Sequence, residues 1–366
     1  MTTFGTFFVP GPTEVRSEIL QAMTKPMISH RGSAFRALFT RIQTGLRAVF
    51  CTERPVFIAT CSATGLMEAA IRNAPPGSVL ACVNGAFSDR FSVIAEKCGR
   101  KAERYEVPWG HAHDPATIAA RVSAGRHAMV AVVHSETSTG ALNDIRAISD
   151  AAHGAGAMCV IDSVSGIRGA ELRFDDWGLD FVFTGSQKAL ALPPGLAFGV
   201  ASERFLASGD RTARGAYLDL AEFAAGAAKE EAPNTPAISL YFALAAQLEC
   251  ITEEGIESAW ARHAAMAAMT YAWADDLTRE GIPVAPFAAA GHRSPTVTAI
   301  ALPKGLSGEA VVKAVSPAGY TLGAGYGKLK DTTVRVGHMG DHTPETVEPC
   351  LNATAAVLRK LARASV

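Results

Sequence analysis

Short apolar runs alternate with amphipathic stretches through the first two hundred or so positions of the chain. The runs are Val56–Ala59, Val79–Val83, Met129–Val133, Met158–Ile161, Phe181–Thr184 and Leu196–Val200. Each is brief, rich in Val, Ile or Phe, and shows little alternation. Strands covered on both faces read this way. Helical patterns separate them. Leu66–Arg72 follows a Ser/Thr cluster, and Asp144–Gly154 closes on a glycine. Asp114-Pro115 supplies an N-cap and a first-turn proline for a helix reaching Ala124. This alternation predicts an α/β fold, a mostly parallel sheet sandwiched by helices.

The pattern changes after about residue 235. Ile238–Glu254 and Glu257–Gly281 read as long Ala- and Leu-rich helices. Two strand-like pieces follow, Val297–Leu302 and Val334–Gly337, then a helix from Pro344 to Ala364. The expected division is a large α/β domain over 15–250 and a smaller α+β domain over 251–366, joined by the N-terminal segment 1–14. No internal repeat or low-complexity linker interrupts it.

Composition narrows the function classes. The 366 residues carry 34 Lys+Arg against 35 Asp+Glu, a formal net charge of −1. That balance gives no electrostatic footprint for nucleic acid or an anionic membrane. No apolar run approaches the roughly 18 residues that span a bilayer, and the first residues lack the cationic start of a secretory signal. The seven cysteines include no C-x-x-C pair and sit largely in apolar runs. Buried reduced thiols and a cytoplasmic location are expected.

In open α/β sheets, ligands bind beyond the carboxyl ends of the strands. Thr60-Cys-Ser62-Ala63-Thr64-Gly65 follows the first run and enters a helix, a natural phosphate seat. His134–Gly140 follows the third and is a lining candidate. Asp162-Ser163-Val164 follows the fourth. A carboxylate there is costly to bury unless a cation meets it. Gly185-Ser186-Gln187-Lys188 follows the fifth and places one lysine among small and apolar residues. Such a lysine has a lowered pKa and becomes a nucleophilic amine. Phosphate cradle, carboxylate and lysine together are what pyridoxal 5′-phosphate requires. No histidine pair has the helical spacing of a metal site, so no metal is assigned.

In this order and spacing the chain resembles the class V branch of fold-type I pyridoxal-phosphate enzymes, and within it the alanine–glyoxylate and serine–pyruvate aminotransferases. The resemblance runs from Val9-Pro-Gly11-Pro-Thr and His30-Arg31, through the segments above, to Asn234-Thr235-Pro236 and Thr333-Val-Arg335-Val-Gly-His338-Met-Gly340. It implies a homodimeric aminotransferase that moves an amino group from a small amino acid to glyoxylate or pyruvate by a ping-pong cycle. Lys188 would form the Schiff base and shuttle the proton, and Asp162 would pair with the pyridinium nitrogen. Val164 and Phe87 would cover the two ring faces, and Thr137 would bond the phenolic oxygen. Ser62, Ala63, Thr64 and Gln187 would hold the phosphate, and Thr235 would reach the phosphate of the neighbouring subunit. Arg335 would clamp the substrate carboxylate, with Gly11 lining the substrate pocket.

Three departures bear on specificity. Ala63 stands where such phosphate turns usually have glycine, Phe87 where tryptophan is frequent, and Pro233-Asn234 where an aromatic often precedes the threonine. The alternatives are an aminoethylphosphonate or pyridoxamine donor, or a lyase of the cysteine desulfurase type. The lyase type has histidine where Gln187 stands. The pyridoxamine type has an acidic residue at the place of Ser62 and an arginine near that of Tyr326. Arg31 and Arg168 are the candidates for a second cation facing a phosphonate or distal carboxylate.

Overall fold

The computed structural model describes residues 4–209 and 214–364. The strands in chain order are β1 (Phe7–Phe8), β2 (Phe57–Ala59), β3 (Val79–Val83), β4 (Ala102–Glu106) and β5 (Met129–Val133). A short hairpin of β6 (Ser135–Glu136) and β7 (Ala141–Leu142) precedes β8 (Met158–Asp162), β9 (Phe181–Gly185) and β10 (Ala197–Ala201). The remainder are β11 (Ala285–Pro286), β12 (Thr298–Ala301), β13 (Thr321–Ala324) and β14 (Thr333–Val336).

Seven strands form the large sheet in the order β2-β10-β9-β8-β5-β3-β4. Neighbours from β4 to β9 run parallel, while β10 is antiparallel to both β9 and β2. The six apolar runs are its strands, apart from β4. That strand reads Ala-Glu-Arg-Tyr-Glu, and only Tyr105 is buried. It is an edge strand guarded by charge, so a search for unbroken apolar runs passes over it.

Helices cover both faces. On one, Ser33–Phe50 sets Phe35, Leu38, Phe39, Ile42, Leu46 and Val49 on a single stripe against the sheet. It packs closely on the helix Ile238–Glu254. A β-carbon at Gly45 would come within 2.8 Å of Leu248 Cβ, so glycine sets that approach. On the other face, Ala63–Asn73 and Ala86–Lys97 bury Leu66 and Phe91 against Phe181 and Phe183. Each fully buried aromatic or aliphatic side chain contributes about 1.5–3 kcal/mol of transfer free energy.

The second sheet has five strands, in the order β1-β13-β14-β12-β11. The sequence pattern predicted two of them. β11 and β1 have two residues each, and β13 reads Thr-Leu-Gly-Ala with one buried leucine and no apolar run. β1 comes from the other end of the chain and pairs in parallel with Thr321 and Leu322. A third core joins this sheet to Ile256–Arg279 and Pro344–Ala364 through Phe8, Trp273, Val334 and Leu351.

One buried ion cluster ties the β14 end to the large sheet. Arg168 is 2% exposed and donates to Asp341 Oδ1 and Glu254 Oε2, each at 2.9 Å, and to Ala189 O at 2.8 Å. Asp341 also accepts from Arg16 Nε at 2.8 Å and from Gln247 Nε2 at 3.0 Å. Arg168, expected as a candidate cation for a distal substrate anion, is thereby committed to structure. Arg31 is spent likewise, on Glu231 at 3.0 Å and Ala232 O at 3.1 Å. Burial pushes the Asp341 carboxyl up, but Arg168 and Arg16 more than offset this and hold it below its usual range.

Removing one partner of a buried pair leaves the other uncompensated. Asp341→Ala is expected to cost about 3 kcal/mol in urea denaturation at pH 7. Because the folded carboxyl is depressed, its contribution is complete above the unfolded value near pH 4 and fades as pH falls through the folded one. The gap between variant and parent should therefore narrow below about pH 4. A gap that is absent at pH 7 would exclude the cluster as a source of stability.

Candidate active site

The carboxyl ends of β5, β8 and β9 open on one cleft. It is lined by Ser62, Ala63, Thr64, Phe87, Thr137, Asp162, Val164, Gln187 and Lys188, all expected from the sequence, and also by Met67, Arg90, Val133, Ser135 and Ser165. A second groove, lined by Arg54, Asp175, Glu203 and Arg204, lies by the amino end of β9. Its arginines are already paired, Arg54 with Asp175 and Glu203, and Arg204 with Asp180, so we place the chemistry in the first.

Lys188 follows β9 by three residues and is 7% exposed. Its Nζ donates to Pro10 O and lies 5.9 Å from the Phe87 ring centroid. Gly11, at φ +96°, presses on the same side chain. A β-carbon there would sit 2.5–2.6 Å from Lys188 Cδ, Cε and Nζ, so only glycine leaves the lysine room. Thr13 fixes the lysine backbone from the same segment, donating from Oγ1 to Lys188 O at 2.9 Å.

Asp162 ends β8 at 4% exposure. Its Oδ1 accepts from the Val164 N–H at 2.9 Å, and no cation pairs with it directly among the described residues. Burial drives its carboxyl up to about 7, helped by the nearby Glu136 and opposed by the Val164 bond and by Lys188. Burial also drives the Lys188 amine down to about 7; Arg335 pushes the same way, and Asp162 and Glu136 oppose it. His134, behind Ser163, is held down at about 4 by burial and stays neutral.

Ser62 is the N-cap of Ala63–Asn73 but makes no side-chain capping bond. The amides of Ala63 and Thr64 have no intrahelical acceptor to reach, and the helix presents its positive end. Ala63 replaces glycine at no visible cost: its side chain is buried, facing away from solvent beside Gly185.

Arg335 stands on β14 and meets the cleft through Thr137. Its Nε donates to Ala324 O at 2.8 Å and its Nη1 to Thr137 O at 3.4 Å. No carboxylate pairs with it among the described residues, and burial lowers its pKa. Three expected residues are not in the cleft lining: Gly11 and Arg335 touch it through Lys188 and Thr137, while Thr235 does not reach it. It is exposed, in a shallow groove with Thr60, Tyr217 and Asn234.

Sequence reasoning missed two residues and left a third without a role. Glu136 is fully buried in the loop already singled out. Its carboxylate accepts from the N–H groups of Phe87, Ser88 and Ser138 at 2.9–3.3 Å and from both serine hydroxyls. It thus occupies the N-terminus of Ala86–Lys97, where the helix dipole favours an anion. Arg90 lies one turn beyond Phe87 on that helix, the i,i+3 spacing that would have flagged it, with its guanidinium 5.0 Å from the Phe87 centroid. Tyr326 lies between two glycines far along the chain, and no local pattern assigns it a contact.

The donor set fits pyridoxal phosphate. An uncapped helix terminus suits a dianion, an unneutralised buried carboxylate suits a protonated ring nitrogen, and a buried amine with lowered pKa suits an aldehyde. The arrangement is that of a pyridoxal-phosphate-dependent enzyme.

Comparison with known proteins gives the family. The family model described as aminotransferase class-V matches residues 7–327. A protein of Synechococcus sp. (strain PCC 6716) named soluble hydrogenase, small subunit, is 35% identical over 363 residues, covering 96% of this chain and 92% of its own. The L-aspartate–glyoxylate aminotransferase of Paracoccus denitrificans (strain Pd 1222) is 33% identical over 354 residues, covering 94% and 88%. The crystal structure of alanine–glyoxylate aminotransferase from Nostoc sp. superposes with a TM-score of 0.89 at 30% identity, covering 97% and 95%. The chain belongs to the class V aminotransferases, and it is a fold-type I aminotransferase dependent on pyridoxal phosphate.

The lowered Lys188 pKa is checked without cofactor. In cofactor-free protein, modification of Lys188 by an amine acylating reagent, read by peptide mass spectrometry, should reach half its maximum near pH 7. Exposed lysines should do so near pH 10. A Lys188 profile that follows the exposed lysines would show a solvated amine.

Proposed function

We propose that this aminotransferase takes a small neutral amino acid of the alanine or serine type as donor and glyoxylate or pyruvate as acceptor. The observation that carries the reading is the buried pair Lys188 and Asp162 in one cleft beside an uncapped helix terminus, with Arg335, which has no carboxylate partner among the described residues, bonded to the cleft residue Thr137. Glyoxylate as acceptor is supported by the names of two of the similar proteins.

In this reading Ser62, Ala63, Thr64 and Gln187 hold the phosphate, Phe87 and Val164 the ring faces, and Thr137 the phenolic oxygen. Bound pyridoxal phosphate supplies the electron sink for the bond broken at the donor α-carbon. Asp162 keeps a proton on the ring nitrogen, and each raises the other's tendency to be charged. Lys188 is the attachment point. Once freed, its Nζ, lowered to about 7, is available in part as the neutral amine at pH 7 and takes and returns the α-proton, a task for which a matched pKa is best. Arg335 binds the carboxylate that donor and acceptor share. Its planar fork orients the α-carbon bond toward the lysine.

One observation favours a second reading, a donor with a second anionic group such as aspartate. Arg90 lines the cleft, and no carboxylate pairs with it among the described residues. Its only polar contact there is a bond from Nη2 to Tyr326 Oη at 3.1 Å.

We further propose a homodimer, with Thr235 offered from its exposed segment to the partner's phosphate seat, and a domain division at 15–250 and 251–366 with 1–14. β1 pairing with β13 supports the latter. No helix among the described residues is long and apolar enough to cross a membrane. The seven free thiols support a cytoplasmic site.

The test is the absorbance of protein loaded with pyridoxal phosphate during addition of alanine, serine, aspartate, 2-aminoethylphosphonate and pyridoxamine. Alanine or serine should convert the bound cofactor to its amine form, and glyoxylate should restore it. Conversion by aspartate alone would select the second reading, and conversion by none would remove both. Lys188→Ala should abolish turnover. Asp162→Asn should retain cofactor and lose about two orders of magnitude in kcat; an unchanged kcat would remove Asp162 from the mechanism.

A further inference from the structure

Tyr326 is 38% exposed, yet its side chain is held from several sides. Its ring stacks on Phe87 with centroids 5.2 Å apart and planes 12° from parallel. Its hydroxyl accepts from Arg90 Nη2 at 3.1 Å. The guanidinium carbon of Arg335 lies 5.5 Å from its ring centroid. The segment beyond it is anchored as well. Lys328 Nζ lies 5.0 Å from the Trp109 ring centroid and 3.6 Å from Glu106 Oε1, and a β-carbon at Gly327 would meet Trp109 at 3.1 Å.

These contacts form one mechanical series. Glu136 holds the Phe87 backbone, Phe87 supports the Tyr326 ring, and the ring supports Arg335. The other restraints on Arg335 are two carbonyls, Ala324 O and Thr137 O. They grip Nε and Nη1 and leave Nη2 without a hydrogen-bond partner among the described residues. A long side chain held at so few points relaxes among rotamers unless a surface fixes its plane.

We propose that Tyr326 is a positioning residue for Arg335. Its ring, propped on Phe87, holds the guanidinium in the plane that grips the substrate carboxylate. This rests on the reading of Arg335 as the carboxylate clamp. The hydroxyl serves a separate purpose, keeping Arg90 at the cleft edge. The ring face is therefore the part that Arg335 requires.

Steady-state kinetics of the holoenzyme with L-alanine and glyoxylate test this. Tyr326→Leu should raise KM for both substrates about tenfold, equivalent to about 1.4 kcal/mol and within the range of a partly desolvated cation–π contact. The kcat should fall too, by less than the rise in KM, because the same fork orients the α-carbon, while the bound-cofactor absorbance and Tm should stay near the parent's. Tyr326→Phe restores the ring and should bring both KM values back to within about twofold of the parent. In an Arg335→Ala background, Tyr326→Leu should add nothing, because its effect passes through the missing group. Parental KM values in Tyr326→Leu, or an equal rise with and without Arg335, would overturn the proposal while leaving the clamp intact. A parental KM in Arg335→Ala itself would overturn the clamp and the proposal together.

Discussion

Everything near the cleft answers to one constraint: an amine and a carboxyl are kept dry, and unpaired with each other, at the ends of adjacent strands. Water would return Lys188 and Asp162 to their ordinary pKa values. A direct ion pair would fix both as charged and leave neither available. The structure avoids both outcomes through the sheet. Asp162 pairs with Phe183 in register, and Lys188 comes only after the turn that follows β9. The amine is then held by Pro10 O while the carboxyl is held by the Val164 N–H. Burial dominates both pKa values and moves them in opposite directions. The neutral forms are favoured until a ligand with its own charge arrives.

Glu136 makes this arrangement tolerable. A third buried ionisable group beside the other two would ordinarily be a liability. Here it is satisfied by backbone and hydroxyl donors rather than by a cation, so it consumes none of the positive charge in the cleft. The same donors belong to the first turn of Ala86–Lys97, so fixing the carboxylate also fixes Phe87 and the face that carries Arg90. Gly85 is part of the arrangement, since a side chain there would strike the Glu136 carboxylate. Among the described residues most arginines have a carboxylate partner, and Arg335 and Arg90, which adjoin the cleft, have none. Their place at the cleft is what suits them, in the proposed reading, to an anion arriving from solution.

The strand ends were readable from sequence because buried parallel strands announce themselves as unbroken apolar runs. The polar residues immediately after such runs can only be at the sheet's ligand edge. That logic found Asp162, Lys188, the turn containing Ser62 and the loop containing both Thr137 and Glu136; the resemblance singled out Ser62 and Thr137, and nothing singled out Glu136. It failed where position is set by another part of the chain. β4 carries alternating charge because it is an edge. β1 and β11 are too short to have a period. Tyr326 acquires its contacts only when β13 and β14 bring it over a helix more than two hundred residues earlier. Arg168 misled for the same reason: an arginine near the cleft in sequence is a cation of unknown employment until its carboxylates are seen.

Those carboxylates give Arg168 its part in the chemistry. It follows the Asp162–Val164 turn by four residues, and its Nη1 bridges Ala189 O, next to Lys188, to Asp341, which lies just beyond the Arg335 strand. One guanidinium thus spans the turn after β8, the lysine turn after β9 and the segment leaving β14. In the proposed mechanism, proton transfer between Lys188 and a substrate carboxylate held by Arg335 depends on the distance between those elements, and a shift of about 1 Å is costly at such a site. A cation buried at this junction fixes that distance better than apolar packing would, because its fork bonds have direction as well as strength. The buried cation committed to Asp341 and Glu254 therefore sets the geometry in which the half-buried arginines Arg335 and Arg90 stand.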